Sequence, residues 1–294
     1  MIQQKGIIVK AISGFYYVDC GGFVVPCRAR GKFRLDGCVP LVGDHVAITA
    51  LPDGSGRLDL VEERRNEFVR PSVANIELMI ITASGITPRT DPFLIDSITA
   101  IAESKGVETL ICINKCDADD YSELYDVYRL AGFDVMRVSA LNGDGIKELS
   151  DFISGKVCAF TGNSGVGKSS ILTAMEPGFK LKTGEVSEKL GRGRHTTRHV
   201  ELLRMSNGAL VADTPGFSSF DTERVEYIPK KQIERCFIEF ADYIGKCRFQ
   251  DCAHIKEIDC AVLEAVSQGK IPESRHRSYA ALYDRAKDEP YRKK

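Results

Sequence analysis

The chain has 294 residues, enough for two or three domains that each bury a core. Apolar residues make up 43% and charged residues 28%, the balance of a soluble globular protein, and no apolar run approaches the roughly 18–20 residues of a membrane span. The first residues, Met1-Ile2-Gln3-Gln4-Lys5, lack the apolar core of a secretory signal, so a cytoplasmic protein with no membrane partner is expected. The net charge of −1 hides a distribution: residues 1–70 carry 10 basic and 8 acidic side chains, residues 71–220 carry 15 and 19, and residues 221–294 carry 15 and 14. Both ends therefore suit a polyanionic partner slightly better than the middle does. Ten cysteines without a signal are expected to stay reduced. Cys20, Cys27, Cys38, Cys112 and Cys158 stand among apolar residues, as core thiols do.

In chain order, short strands are predicted over 6–11, 15–20, 23–28, 32–35, 45–50 and 57–62, with turns at Gly21-Gly22, Asp36-Gly37 and Asp53-Gly54. Strands this short and this close read as a small β-barrel. From residue 75 apolar strands alternate with helical stretches. Strands are expected over 76–82, 109–113, 134–138 and 156–161, with helices over 92–105, 122–131 and 145–153. That alternation belongs to a parallel sheet covered by helices on both faces. A helix follows Lys168, then a polar loop and two strands, over 199–204 and 209–212. Beyond residue 221 the chain reads as helical. Pro229 and Pro272 stand as first helical residues of 230–244 and 273–287, with a cysteine-rich loop between.

The strongest motif is Gly162-Asn163-Ser164-Gly165-Val166-Gly167-Lys168-Ser169, followed by Ser170 and preceded by an apolar strand. It fits the phosphate-loop pattern, in which glycines let backbone N–H groups wrap a β-phosphate at a helix N-terminus. Lys168 would neutralise the β- and γ-phosphates, and Ser169 would ligate Mg²⁺. Asp213-Thr214-Pro215-Gly216 ends the last strand. Asp213 suits the Mg²⁺-anchoring carboxylate and Gly216 a γ-phosphate contact. Asn114-Lys115-Cys116-Asp117 closes the strand over 109–113. One carboxylate, Asp117, can accept both N1–H and the 2-amino group of guanine, a pairing adenine cannot offer. Ser139-Ala140-Leu141 fits the loop that meets the guanine O6 through backbone N–H.

The polar loop holds Gly191-Arg192-Gly193-Arg194-His195-Thr196-Thr197, the counterpart of a first switch. Thr197, or else Thr196, would close over Mg²⁺ and the γ-phosphate. Phe217 stands where many GTPases carry the glutamine that orients water, so either another side chain does that work, with His195 the best internal candidate, or a partner supplies it. The catalytic set is then His195, Thr197 and Lys168. Near the end, Cys247, Cys252, His254 and Cys260 offer three thiolates and an imidazole within 14 residues, the donor set of a structural zinc site. Along 27–35, Arg28, Arg30, Lys32 and Arg34 alternate with smaller or apolar residues, so a strand there would present four cations on one face beside Phe15, Tyr16, Tyr17 and Phe23.

These motifs resemble the GTPase superfamily, but the base motifs precede the phosphate loop, as in a circular permutation. The permuted order, the N-terminal barrel and the C-x₄-C-x-H-x₅-C element make the chain similar to the ribosome small-subunit-dependent GTPase family, RsgA (also called YjeQ or YloQ). The resemblance implies an OB-type barrel over 1–70, a circularly permuted α/β P-loop GTPase domain over 71–220 and a helical zinc-binding domain over 221–294. It further implies GTP/GDP, Mg²⁺ and one structural Zn²⁺. The implied role is GTP hydrolysis to GDP and phosphate in late maturation of the small ribosomal subunit, stimulated by that subunit. Contacts of the flanking domains with rRNA are implied as well, for a chain expected to be a monomer. Phe217 agrees with the apolar residue of that family.

Overall fold

The computed structural model describes residues 3–31, 33, 39–69, 71–118, 122–178, 200–213 and 228–286. The strands are β1 (Gln3–Ile12), β2 (Phe15–Asp19), β3 (Val24–Ala29), β4 (His45–Ala50), β5 (Gly56–Val61), β6 (Glu67–Phe68), β7 (Val73–Ala74), β8 (Leu78–Ala83), β9 (Glu108–Ile113), β10 (Asp134–Arg137), β11 (Val157–Thr161), β12 (Glu201–Arg204) and β13 (Leu210–Asp213). The helices are α1 (Pro92–Ser104), α2 (Ser122–Leu130), α3 (Ile146–Ile153), α4 (Lys168–Met175), α5 (Ala261–Ser267) and α6 (Glu273–Arg285).

β1 to β5 close on themselves. β1 pairs with β2 and β4, β2 with β3, β3 with β5, and β5 with β4, so each of the five strands has a neighbour on both sides, as closure of a barrel requires. Alternate residues point inward, and Ile8, Val18, Cys27, Ile48 and Leu58 fill the interior. The strand expected over 32–35 is not borne out at Phe33, whose backbone is helical; Lys32 and Arg34 lie outside the described residues.

The central sheet runs β10-β9-β8-β11-β13-β12, all parallel except β12. The chain lays β8, β9 and β10 outward, returns to the middle with β11, then leaves on the other side. The strand that feeds the phosphate loop therefore lies between two others whatever the order of connection. Both faces of the sheet are buried: Met79, Ile81, Ile111 and Ile113 pack under α1 and α2, while Leu78, Ile80, Leu110 and Cys112 pack under α3 and α4. This is why these strands read as continuous apolar runs and not as alternating ones. The barrel joins the same sheet through β1 and β12, where Lys10 opposite Glu201 is an ion pair at 2.9 Å and Arg204 meets Asp19 at 2.7 Å.

The last part of the chain departs from its predicted form. Residues 230–244 do not make one α-helix. They form two 3₁₀ segments, Lys230–Cys236 and Ile238–Phe240, interrupted by extended backbone at Phe237. The break lets Phe237 and Phe240 both pack on Tyr279, with ring centroids at 5.3 and 4.9 Å. Pro229 and Pro272 are extended capping residues, not first helical ones. The cysteine-rich stretch contains the short helix α5, whose first turn is capped by Cys260.

Arg275 of α6 is fully buried and fastens this part to the central sheet's helix α1. It donates to Glu239 at 2.7 and 3.1 Å, to Asp96 at 2.8 Å and to the Thr99 hydroxyl at 3.0 Å. The rings of Phe237, Phe133 and Tyr128 surround its guanidinium, with centroids 4.6, 5.1 and 5.9 Å away. Burying a cation is tolerable only with partners of this quality. Arg275→Ala strands Asp96 and Glu239 without a counter-charge and should cost about 3–5 kcal/mol of stability. Urea titration followed by circular dichroism reads this as a lower midpoint; an unchanged midpoint would refute the clamp.

Candidate nucleotide site and metal centre

The carboxyl ends of β8, β9, β10, β11 and β13 share one edge of the sheet, the edge at which α/β proteins bind nucleotides. β11 opens into the loop from Gly162 to Gly167, and α4 starts at Lys168. Two glycines are dictated by space as well as by conformation. Gly162 has φ +128, and a Cβ there would lie 2.1 Å from the Thr82 carbonyl oxygen. Gly167 has φ +101, and its Cβ would lie 2.1 Å from the Asn114 side-chain nitrogen.

Asn114, at the end of β9, is 2% exposed. Its Nδ2 donates to the Val166 carbonyl at 2.8 Å, and its Oδ1 accepts from the Ala140 N–H at 3.1 Å. One side chain thus ties the base motif to the phosphate loop and to the second base loop. Lys115 has φ +70 and reaches the Thr87 carbonyl at 2.9 Å. Pro88, the next residue, packs 3.2 Å from where a side chain on Gly165 would begin. Asp117 is exposed at the sheet edge and accepts a short hydrogen bond from the buried Ser139 hydroxyl. The same hydroxyl receives the N–H groups of Leu141 and Asn142 at 3.3 Å. The structure therefore brings Asn114, Lys115, Cys116, Asp117, Ser139 and Ala140 to one edge with residues 162–170.

The Lys168 ammonium donates to the carbonyl oxygens of Gly162 and Asn163 at 2.6 and 2.7 Å. Burial lowers its pKa to about 8. Asp213 is placed by the backbone of β13, next to β11. Thr196, Thr197, His195, Gly216 and Phe217 lie outside the described residues.

The sulfur and nitrogen atoms of Cys247, Cys252, His254 and Cys260 all lie within 4.8 Å of one another. Zinc bonds of about 2.3 Å to sulfur and 2.0–2.1 Å to nitrogen, set tetrahedrally, separate two sulfurs by about 3.8 Å and sulfur from nitrogen by about 3.5 Å. Cys247 and Cys260 stand 3.8 Å apart, and His254 Nδ1 lies 3.5 and 3.4 Å from them. The donor set and its spacing fit zinc. Glu257, unremarked in the sequence, shapes the loop by accepting the N–H groups of Ala253, Ile255 and Lys256 at 3.2, 2.9 and 3.0 Å.

The basic face expected on the barrel is only partly formed. β3 ends at Ala29, so Arg28 and Arg30 do not continue along a strand to Lys32 and Arg34. Arg28 lies over the Phe15 ring at 4.5 Å, and Arg30 pairs with Asp59 at 3.1 Å. A groove of about 590 Å³ between them is lined by Phe15, Tyr16, Arg28, Arg30, Gly31 and Phe33.

A phosphate loop on the middle strand, a guanine-type motif beside it, a barrel before it and a cysteine–histidine cluster after it define a circularly permuted GTPase with two flanking elements. Residues 61–223 match the RsgA GTPase family and residues 5–58 match the RsgA N-terminal domain. A protein of Caldanaerobacter subterraneus subsp. tengcongensis called small ribosomal subunit biogenesis GTPase RsgA is 41% identical, over 100% of this chain and 99% of its own length. One of the same name from Bacillus pumilus is 42% identical over 97% and 98%. The crystal structure of YjeQ from Thermotoga maritima superposes with a TM-score of 0.82 at 35% identity, over 96% of this chain and 98% of that one. YloQ, described as a circularly permuted GTPase, gives 0.80 at 34% identity over 96% and 94%. The chain belongs to the RsgA GTPase family.

Phosphate oxygens beside Lys168 would restore its charge, so nucleotide binding there would draw a proton wherever the free amine is neutral. With a pKa lowered to about 8 from 10.5, that window opens near pH 8 and closes above the ordinary lysine value. Calorimetry of GDP binding at pH 9, in buffers of different ionisation enthalpy, should find uptake of about one proton, and almost none at pH 7. Equal proton exchange at both pH values would contradict the placement of Lys168 on the phosphates.

Proposed function

We propose that this GTPase assists late maturation of the small ribosomal subunit, hydrolysing GTP to GDP and phosphate slowly alone and faster on the subunit. The observation that carries the reading is the phosphate loop and base motif held together by Asn114, in a chain 41% identical over its whole length to a protein named for small-subunit biogenesis. In this reading residues 1–70, 71–220 and 221–294 are three domains: the barrel, the GTPase and the zinc element. The chain acts in the cytoplasm as a monomer.

Residues 162–170 receive the phosphates, with Lys168 on the β- and γ-phosphates. Asp117 accepts from guanine, braced by the Ser139 hydroxyl. Ser169, Asp213 and Thr197 would hold Mg²⁺, which would supply neutralisation of the charge developing on the phosphates. Thr197, or else Thr196, would close over the γ-phosphate, the Gly216 amide would sense it, and His195 would orient the attacking water. Phe217 cannot take that role, having no hydrogen-bonding group. The flanking domains grip the particle, and the groove at Phe15 and Arg28 supplies one contact with rRNA through stacking and charge.

Completing a phosphoryl-transfer site in trans is worth about 10³–10⁵ in rate. Steady-state hydrolysis measured with purified small and large ribosomal subunits should accelerate only with the small one. His195→Ala should keep GTP affinity and lose most of the stimulated rate. Several turnovers per second by the free chain, or equal stimulation by both subunits, would sink the partner-completed mechanism.

Base recognition has its own test. Asp117→Asn replaces an acceptor of two N–H groups with a side chain that can donate, so GTP should weaken by up to about 10⁴-fold while xanthosine triphosphate gains. Competition binding with both nucleotides reads this directly. Unchanged GTP affinity would remove Asp117 from the base site.

A further inference from the structure

The two nitrogens of His254 have different surroundings. Nδ1 faces the thiols of Cys247 and Cys260 at 3.5 and 3.4 Å. Nε2, on the other side of the ring, lies 3.1 Å from Oε2 of Glu234. The histidine is 2% exposed, so this carboxylate has little competition from water for the ring. The backbone around the ring is held as well. The His254 carbonyl accepts from His276 Nε2 at 2.7 Å, and the Ala253 carbonyl accepts from the Tyr279 hydroxyl at 2.8 Å.

A neutral imidazole that ligates through Nδ1 must carry its proton on Nε2. We propose that Glu234 is a positioning residue of the metal centre: its carboxylate accepts the Nε2–H bond and holds His254 in the tautomer that presents Nδ1 to zinc. The inference rests on the zinc reading of the cysteine–histidine cluster. Ligating histidines commonly give their second N–H to a carboxylate, and loss of such a partner costs about 10–100-fold in metal affinity. Glu234 also has a mechanical consequence. It belongs to the segment Lys230–Cys236, whose Ile233 and Cys236 share a buried cluster with Ala100 of α1. The hydrogen bond therefore connects the metal centre to a segment packed on the GTPase fold.

The test uses the full chain and its Glu234→Ala and Glu234→Gln variants, loaded with zinc and titrated with a chromophoric chelator. GDP binding by each variant confirms folding, since Glu234 is no part of the nucleotide site. Glu234→Ala should yield its zinc about 10–100-fold more readily than the wild type. Glu234→Gln should stay close to the wild type, because its amide oxygen still accepts from Nε2–H. Nitrogen-15 spectra of histidine-labelled wild-type protein should show metal on Nδ1 and hydrogen on Nε2. Zinc held equally tightly by Glu234→Ala, or ligation through Nε2, overturns the proposal and leaves the zinc reading intact. A wild-type chain without stoichiometric zinc overturns both. Should Glu234→Ala fail to bind GDP, the wild-type spectrum decides between the tautomers.

Discussion

Three loops far apart in the chain meet at the Asn114 carboxamide. It has one acceptor and one NH₂ group, and here each is used on a different loop: the Ala140 N–H on one side, the Val166 carbonyl on the other. Both backbone partners lie in loops, outside any strand or helix, and leaving a buried polar group unpaired costs about 1–3 kcal/mol. The amide therefore sets the distance between the phosphate-loop motif at 162–169 and the loop at 139–141. Gly167 follows from the same contact, since any side chain there would strike the Asn114 nitrogen.

That junction also explains why a permuted chain can carry the chemistry of an unpermuted one. The contacts at Asn114 join β9, β10 and β11 at their carboxyl ends, and these ends do not depend on which strand comes first. What permutation changes is where the chain goes next. Here β12 and β13 come last in the sheet, so β12 meets the barrel through Lys10–Glu201 and Arg204–Asp19, while the chain beyond β13 leads to the cysteine–histidine element. The barrel is thus attached at β12, while the cysteine–histidine element follows β13 in the chain and packs back on α1, between β8 and β9.

The attachment at the far end is of a different physical kind. Arg275 bridges Asp96 of α1 and Glu239 in full burial, among three aromatic rings. An ion pair of this sort gains little over an apolar contact of equal volume, but it permits only one arrangement, because any sliding leaves a charge unpaired. Glu234 and Glu239 belong to consecutive 3₁₀ segments and face different partners, the histidine of the cysteine–histidine cluster and the buried arginine. The interruption at Phe237 lets one short stretch of chain serve both.

Much of this was legible in residue order. The phosphate loop, Asn114 to Asp117 and the cysteine–histidine set are local patterns whose chemistry depends on spacing, and strands covered on both faces must be apolar along their whole length, so they stand out as unbroken runs. Other features were not legible. The break at Phe237 follows from the packing of Phe237 and Phe240 on Tyr279, and propensity and periodicity also misread the short helix α5 and the end of β3 at Ala29. Glu234 and Arg275 are ordinary charged residues in the sequence, with no motif around them, and their roles arise because folding carries them to partners 20 and 179 residues away; Glu257, inside the cysteine–histidine motif, binds N–H groups of its own loop. Spacing along a chain records chemistry confined to one loop. Pairings between distant elements are recorded nowhere in that order, since they come into being only when burial removes water and leaves each charge to find its partner.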